Sequence, residues 1–207
     1  VILDLRSVIL KPMKISAVTL EGNFVRLEPP AKKYIDDLVA AAKPNEIWEY
    51  IATAPGQSRE EMSAWINEAI NETQNRTRIW FIIIRKSDER AIGATSFMDI
   101  HPKDRNLEIG GTWLTPSAWR TPINTECKYL LLKHAFETLG CLRVQLKTDA
   151  RNIRSQKAIE RIGAVKEGVL RKHMLTRTGY IRDTVMYSII DTEWQTVKAR
   201  LEEFLKP

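Results

Sequence analysis

The sequence predicts an α/β (α+β) domain built on a mixed central sheet with flanking helices. Three observations lead there. The 207 residues, 43% hydrophobic and 28% charged, are ordinary for a soluble globular chain and enough for one domain with a sizeable core. Short β-prone apolar runs alternate with segments whose apolar residues recur at helical spacing. Finally, no repeat or low-complexity run interrupts that alternation.

The elements follow in chain order. Residues 18–28 (VTLEGNFVRLE) read as a strand pair turning at Glu21-Gly22-Asn23. Residues 31–43 place Tyr34, Ile35, Leu38 and Val39 at helical spacing, and Ser58 with Glu61 forms a capping box ahead of Met62, Trp65, Ile66 and Ile70. Pro44 and the Ala54-Pro55-Gly56 turn separate these two helices. Residues 78–85 and 91–100 are strands joined by a polar turn at 86–90. Residues 106–114 form another strand, whose Gly110-Gly111 permits a bulge or a close backbone approach; from the residues alone an ordinary strand weakened by glycine is the readier reading. Residues 124–139 predict a helix capped by Asn124 or Thr125, with Gly140 at its left-handed end. Residues 142–171 read as strand, loop, helix, strand. Residues 183–190 give the last strand and 192–206 the last helix, with Thr192 and Gln195 at capping-box spacing.

Charge and cysteine usage narrow the chemistry. The 32 Lys plus Arg against 26 Asp plus Glu give +6, which attracts polyanions such as a phosphorylated cofactor or RNA. Cys127 and Cys141 form no CxxC, and no histidine stands at metal-ligand spacing, so neither a disulfide framework nor a metal site is expected. A reduced, cytoplasmic setting is the simplest expectation. The opening VILDLRSVIL carries Asp4 and Arg6 and is far shorter than the roughly 20 residues a membrane span needs. It also lacks signal-peptide features, and no membrane association is expected. With Met13 as an internal start, residues 1–12 would be an extension.

Two stretches carry a family resemblance. The first is LRVQLKTDARNIRSQKAIERIGAVKEGVLR at 142–171, with Asn152-x-x-Ser155 opening a helix that closes at Gly163-Ala164. The second is WLTPSAWRTPINTE at 113–126, followed by KYLLLKHAFETLG. Together they resemble the GNAT N-acetyltransferases, closest to the RimJ/RimL-like branch that acetylates ribosomal-protein N-termini. The resemblance covers roughly residues 15–195, in pattern only over the first half. It implies an N-terminal extension at 1–14, one acetyltransferase domain over 15–195 and a C-terminal helix at 192–207 packed on it. It also implies a GNAT fold, in which two parallel strands splay around a coenzyme A cleft.

The same resemblance assigns site residues. The splayed strands would be 108–114 and 142–148, whose freed backbone groups would pair with pantetheine as an added strand does. The phosphates would lie on the loop from Trp119 to Thr125, at a helix N-terminus. Cofactor-binding positions are then Trp113, Leu114, Trp119, Arg120, Thr121, Ile123, Asn124, Thr125, Asn152 and Ser155. Anchoring on Thr125-Glu126 puts Trp119, Pro122 and Asn124 where the family has Arg or Gln, Gly, and Gly or Ala. Pro122 offers no N–H there, and Arg120 would compensate by charge. Arg151, Arg154 and Lys157 stand at helical spacing and read either as a basic face for the 3'-phosphate or as a solvated face.

For the chemistry, Glu108 is the candidate base. Ser155 is the candidate acid, because Ile159 fills the slot where many relatives carry tyrosine. Asp99 and His101 are the fallback bases. The expected activity is transfer of acetyl from acetyl-CoA, a cosubstrate, to a primary amine, either a protein N-terminus or a small amine, by direct attack and without a metal. The alternatives are a non-catalytic module that senses CoA or binds RNA or the ribosome, and a transferase of a larger acyl group. Nucleic acid is not the expected partner, and the apolar first ten residues suggest a homodimer.

Overall fold

The computed structural model describes residues 13–51 and 56–206. The segment 1–12 and most of the turn expected at 54–56 lie outside the described residues. Among those described, the chain runs β1 (Leu20–Glu21), β2 (Val25–Glu28), α1 (Ile35–Ala42), α2 (Arg59–Asn75), β3 (Ile79–Arg85), β4 (Arg90–His101), β5 (Asn106–Leu114), α3 (Pro122–Lys133), β6 (Arg143–Asp149), α4 (Ile153–Arg161), β7 (Val165–Leu175), β8 (Ile181–Ile190) and α5 (Trp194–Phe204). The strands form one mixed sheet in the order β1-β2-β3-β4-β5-β6-β8-β7. Neighbours are antiparallel except β5 and β6, which are parallel.

Helices cover the two faces unequally. On one face α1 and α2 pack on β3 and β4, where Leu38, Met62 and Ile66 meet Trp80, Ile82 and Ile84. On the other, Cys127 and Leu131 of α3, Ile159 of α4 and Trp194, Val197 and Leu201 of α5 join Phe81, Phe97, Val144, Leu146 and Tyr187. Strand β3 (IWFIIIR) is buried on both faces, which explains its continuous run of apolar residues. Met13 and Ile15 are buried in the second core.

Several ends differ from the sequence expectation. The Ser58–Glu61 capping box forms as expected. Helix α3 begins at Pro122 and is capped by Thr121 rather than Asn124 or Thr125, since proline suits the first helical position, where an N–H has no partner within the helix. The helix then widens into a π turn at His134–Thr138, and Gly140 adopts the left-handed conformation expected of it (φ +65°). A 3-10 turn at Asp191–Glu193 delays α5, so Thr192 and Gln195 form no capping box. Instead, the Ile190 N–H donates to Glu193 Oε2 at 3.0 Å.

Candidate active site

Strands β5 and β6 pair through three rungs, Asn106–Arg143, Leu107–Val144 and Glu108–Gln145, and then part. Beyond Glu108 the two strands leave their facing backbone groups unpaired with each other, so the sheet forks at its interior. The cause lies partly in β5. Between the Ser96–Gly110 and Ala94–Trp113 pairs β5 carries one more residue than β4, and Gly111 takes φ +61°. Glycine is required there: besides the left-handed backbone, a Cβ at Gly111 would collide with Arg78 Nη2.

Glu108 closes the base of the fork. It is buried, and its Oε2 accepts from Gln145 Nε2 at 3.0 Å and pairs with Lys147 Nζ at 2.9 Å. The other oxygen, Oε1, lies 2.7 Å from where a Cβ on Gly110 would stand, so the missing side chain makes room for the carboxylate. Pairing of Glu108 with Gln145 and of Met98 with Glu108 fixes its side of the sheet, the side that α1 and α2 cover farther along. Asp149, at the end of β6, is also buried. Burial alone raises its carboxyl, but the side-chain and backbone hydrogen bonds from Arg151 outweigh that and hold it below the ordinary value.

The loop between β5 and α3 occupies the open end of the fork. Trp119 donates its indole N–H to the Leu114 carbonyl at 3.0 Å, which engages that carbonyl within the chain. Arg120 is exposed with φ +60°, so the left-handed turn falls on it rather than on Pro122 or Asn124. Thr121 accepts from the Ile123 N–H at 3.4 Å and donates to the Ala118 carbonyl at 2.7 Å. Ile123 is buried, and Asn124 is half-buried in the first turn of α3. Thr125 turns inward and accepts from Arg161, so its side chain points into the packing against α4. Trp113 is buried against Trp48, with ring centroids 5.2 Å apart. Its Nε1 is a buried side-chain polar atom without a partner among the described residues.

Helix α4 borders the other arm. Asn152 is its N-cap, accepting from the Ser155 N–H at 2.9 Å, and Ser155 is half-buried in the first turn. Arg154 reaches across to Trp119, its guanidinium carbon 3.8 Å from the ring centroid, and links the two arms. The expected basic trio does not form. Arg151 precedes the helix, pairs with Asp149 at 2.8 Å and stacks on Tyr180 at 3.5 Å. The fallback bases are also displaced: Asp99 and His101 are exposed, contact each other at 2.9 Å, and lie by the β4–β5 turn, at the opposite end of β5 from the fork's opening.

Sequence reasoning passed over four side chains that the fold gathers around Glu108. Gln145 and Lys147 share its face of β6 by strand alternation, a signal readable once β6 is placed. Arg78 lies against Gly111, its Nε bonded to Ser96 at 2.9 Å and its guanidinium 3.7 Å over the Trp80 ring. Arg182 is buried with its Nε bonded to Thr184 at 3.0 Å. No sequence spacing links these two arginines to position 108. Among the described residues no group of His, Cys, Asp and Glu has metal-binding geometry, and no helix is long and apolar enough to cross a membrane.

Comparison with known proteins gives this fork its family. The model of the acetyltransferase (GNAT) domain matches residues 25–165. The chain belongs to the GNAT acetyltransferase family. Among curated GNAT relatives, the uncharacterized N-acetyltransferase YoaA of Bacillus subtilis is 28% identical over 83% of this chain and 96% of its own length. The same organism's putative ribosomal N-acetyltransferase YdaF is 31% identical over 54% of this chain and 60% of its own. The solved structure of a putative acetyltransferase from T. thermophilus is 39% identical and superposes with a TM-score of 0.84 over 94% of this chain and 100% of that one. The GNAT fold is shared with the microcin C7 self-immunity acetyltransferase MccE, solved with acetyl-CoA and AMP (23% identity, TM-score 0.74, 82% of this chain and 93% of that one). The mixed sheet and GNAT fold expected from sequence are thus found, and the chain is an acyltransferase of the acetyl-CoA-dependent kind.

Proposed function

We propose that this acetyltransferase moves acetyl from acetyl-CoA to a primary amine by direct attack, with Glu108 as base and Ser155 as acid. The observation that carries the reading is a buried carboxylate at the last paired rung of a parallel fork. The unpaired backbone of β5 and β6 supplies donors and acceptors for pantetheine amides. The α3 N-terminus, with the Asn124 and Thr125 N–H groups, supplies a positive end for the pyrophosphate, and Arg120 and Arg154 add charge. Pro122 costs α3 no intrahelical hydrogen bond at its first position, but it leaves the phosphate one N–H donor fewer, which the charge of Arg120 and Arg154 would offset.

The acceptor arrives as an ammonium and must lose a proton before its nitrogen can attack. Glu108 accepts that proton, directly or through one water. The nitrogen then bonds to the thioester carbon, and the C–S bond breaks. As the amide forms, the second nitrogen proton passes to the departing sulfur, with Ser155 donating its hydroxyl proton or a hydrogen bond there and being reprotonated by that nitrogen proton, so the products are the amide, CoA thiol and the one proton first taken by Glu108. The name of YdaF, a putative ribosomal N-acetyltransferase, favours a ribosomal acceptor; a small amine uses the same chemistry. A cytoplasmic setting fits both buried cysteines, whose thiols burial pushes up to about 12, where they are inert as nucleophiles.

Calorimetric titration with acetyl-CoA, followed by a thiol-release screen over peptide N-termini and small amines, tests this reading. Binding with turnover of at least one amine supports it. Binding with no turnover of any amine points to a CoA-sensing module instead.

A further inference from the structure

The acceptor face holds more positive charge than its own carboxylates answer. Two ion pairs sit there, Glu108 with Lys147 and Asp149 with Arg151. Arg182 lies within electrostatic reach of Glu108, Asp149 and Arg151 and is left over. It is only 7% exposed, it makes no ion pair among the described residues, and its contact is the neutral Thr184 hydroxyl. Arg78, also within electrostatic reach of Glu108, likewise makes no ion pair among the described residues. The carboxylate that acts on it most strongly, Glu72, is engaged by the Trp80 indole N–H at 2.6 Å. Burial pushes both guanidinium groups down from their ordinary value, as expected of cations that have lost water without gaining a counterion.

A guanidinium does not escape that cost by deprotonating, since its pKa exceeds about 12. An uncompensated buried charge is expensive, and the fold retains one at Arg182, with the half-buried Arg78 beside the same Glu108 carboxylate. Packing alone would be met by an apolar residue at lower cost. Arg78 touches the Gly111 bulge, where the donor strand turns, while Arg182 sits on β8 beyond β6. The cofactor phosphates are assigned elsewhere, to the α3 end of the fork. The positive charge left unanswered around Glu108 calls for an anion that enters with the acceptor.

We propose that the acceptor of this enzyme is an anionic amine, a primary amine carrying a carboxylate or phosphate, whose oxyanion is held by Arg182 and Arg78 while its nitrogen faces Glu108. The inference rests on the acetyl-transfer reading above and adds a substrate class to it. A polycationic amine is disfavoured by the same charges. The planar guanidinium fork suits either oxyanion.

Two matched acceptor pairs test it: alanyl-alanine against its C-terminal amide, and O-phosphoethanolamine against ethanolamine, by thiol release with acetyl-CoA. The anionic member of at least one pair should have a kcat/KM at least about tenfold higher, a factor corresponding to one charge-assisted hydrogen bond. The pair that responds identifies carboxylate or phosphate. Arg182→Gln should collapse that ratio toward one by raising KM for the anion, and Arg182→Lys should restore part of it. Calorimetry of the CoA-bound protein with N-acetyl-alanyl-alanine, its amide, N-acetyl-phosphoethanolamine and N-acetylethanolamine reads the same preference without turnover, and circular dichroism checks that Arg182→Gln is folded. Equal or reversed preference in both pairs, by turnover and by product binding, overturns the inference. If no acceptor turns over but an anionic product binds preferentially, the anion site stands and the proposed function fails for these acceptors.

Discussion

Gln145 donates to the Glu108 carboxylate at 3.0 Å across the last rung that joins β5 to β6, so the residue proposed to move protons sits where the sheet divides. This placement ties the carboxylate to the fork itself. The backbone proposed to hold the acyl donor begins one residue beyond it, and Lys147, two residues along β6 from Gln145, binds the same oxygen. In the proposed reaction Oε1, which faces the space left by Gly110, would be the oxygen that meets the amine.

In the proposed cofactor site the contact between Arg154 and Trp119 across the arms would contribute to acetyl-CoA binding. Arg154→Ala should weaken acetyl-CoA binding roughly tenfold, the scale of one charge-assisted contact. Calorimetry at low and high salt should show the wild-type affinity falling with salt and the variant falling less. Equal salt dependence in the two proteins would remove Arg154 from the phosphate site.

The bulge is expected to be intolerant. Gly111→Ala puts a Cβ on a backbone of φ +61° and against the Arg78 guanidinium. The strain should cost about 1–2 kcal/mol in urea unfolding. It should also raise the Kd for acetyl-CoA, because the fork would close or Arg78 would shift.

Glu126 should be a stability residue without a catalytic role. Its buried carboxylate accepts the N–H groups of Asn23, Phe24 and Val25 at 2.7, 2.7 and 2.8 Å, pinning the β1–β2 turn to α3. Glu126→Ala leaves those donors unsatisfied and should cost about 3 kcal/mol or more. Urea unfolding measures this directly.

Lys128 gives a pH signature. Burial lowers its ammonium to about 8 from 10.5, while its Nζ donates to Thr112 at 2.8 Å. Between these two values the unfolded chain binds more protons at this site, so the site's contribution to stability rises with pH; below 8 the charge is buried at full cost. Lys128→Met should therefore unfold less readily than wild type at pH 7, by up to about 3 kcal/mol, and the gap should narrow by pH 10. Paired urea curves at the two pH values check it.

Legibility followed the range of the signals. Strand β5 was readable to the residue because Asn106 to Leu114 is bounded by turn chemistry, and the Ser58–Glu61 box marks α2 locally. Helix α3 starts earlier than the Thr125-Glu126 anchor indicates because Thr121-Pro122 also makes a helix entry. The spacing of Arg151, Arg154 and Lys157 suggests one helix face, but the Asn152 cap leaves Arg151 outside the helix. The neighbours of Glu108 were hidden for a different reason. Lys147 and Arg182 arrive through strand pairings far apart in sequence, and no local pattern encodes which strands adjoin.

The most direct measurement is the pH dependence of kcat/KM for Glu108→Gln against wild type, on an acceptor found by the thiol-release screen. The account predicts a loss of roughly 10 to 10,000-fold near neutral pH that shrinks as pH rises and free amine becomes abundant, with acetyl-CoA affinity kept. Ser155→Ala should instead lower kcat with little recovery at high pH. Equal turnover of wild type and Glu108→Gln from neutral to mildly acidic pH would contradict the assignment of Glu108 as the base.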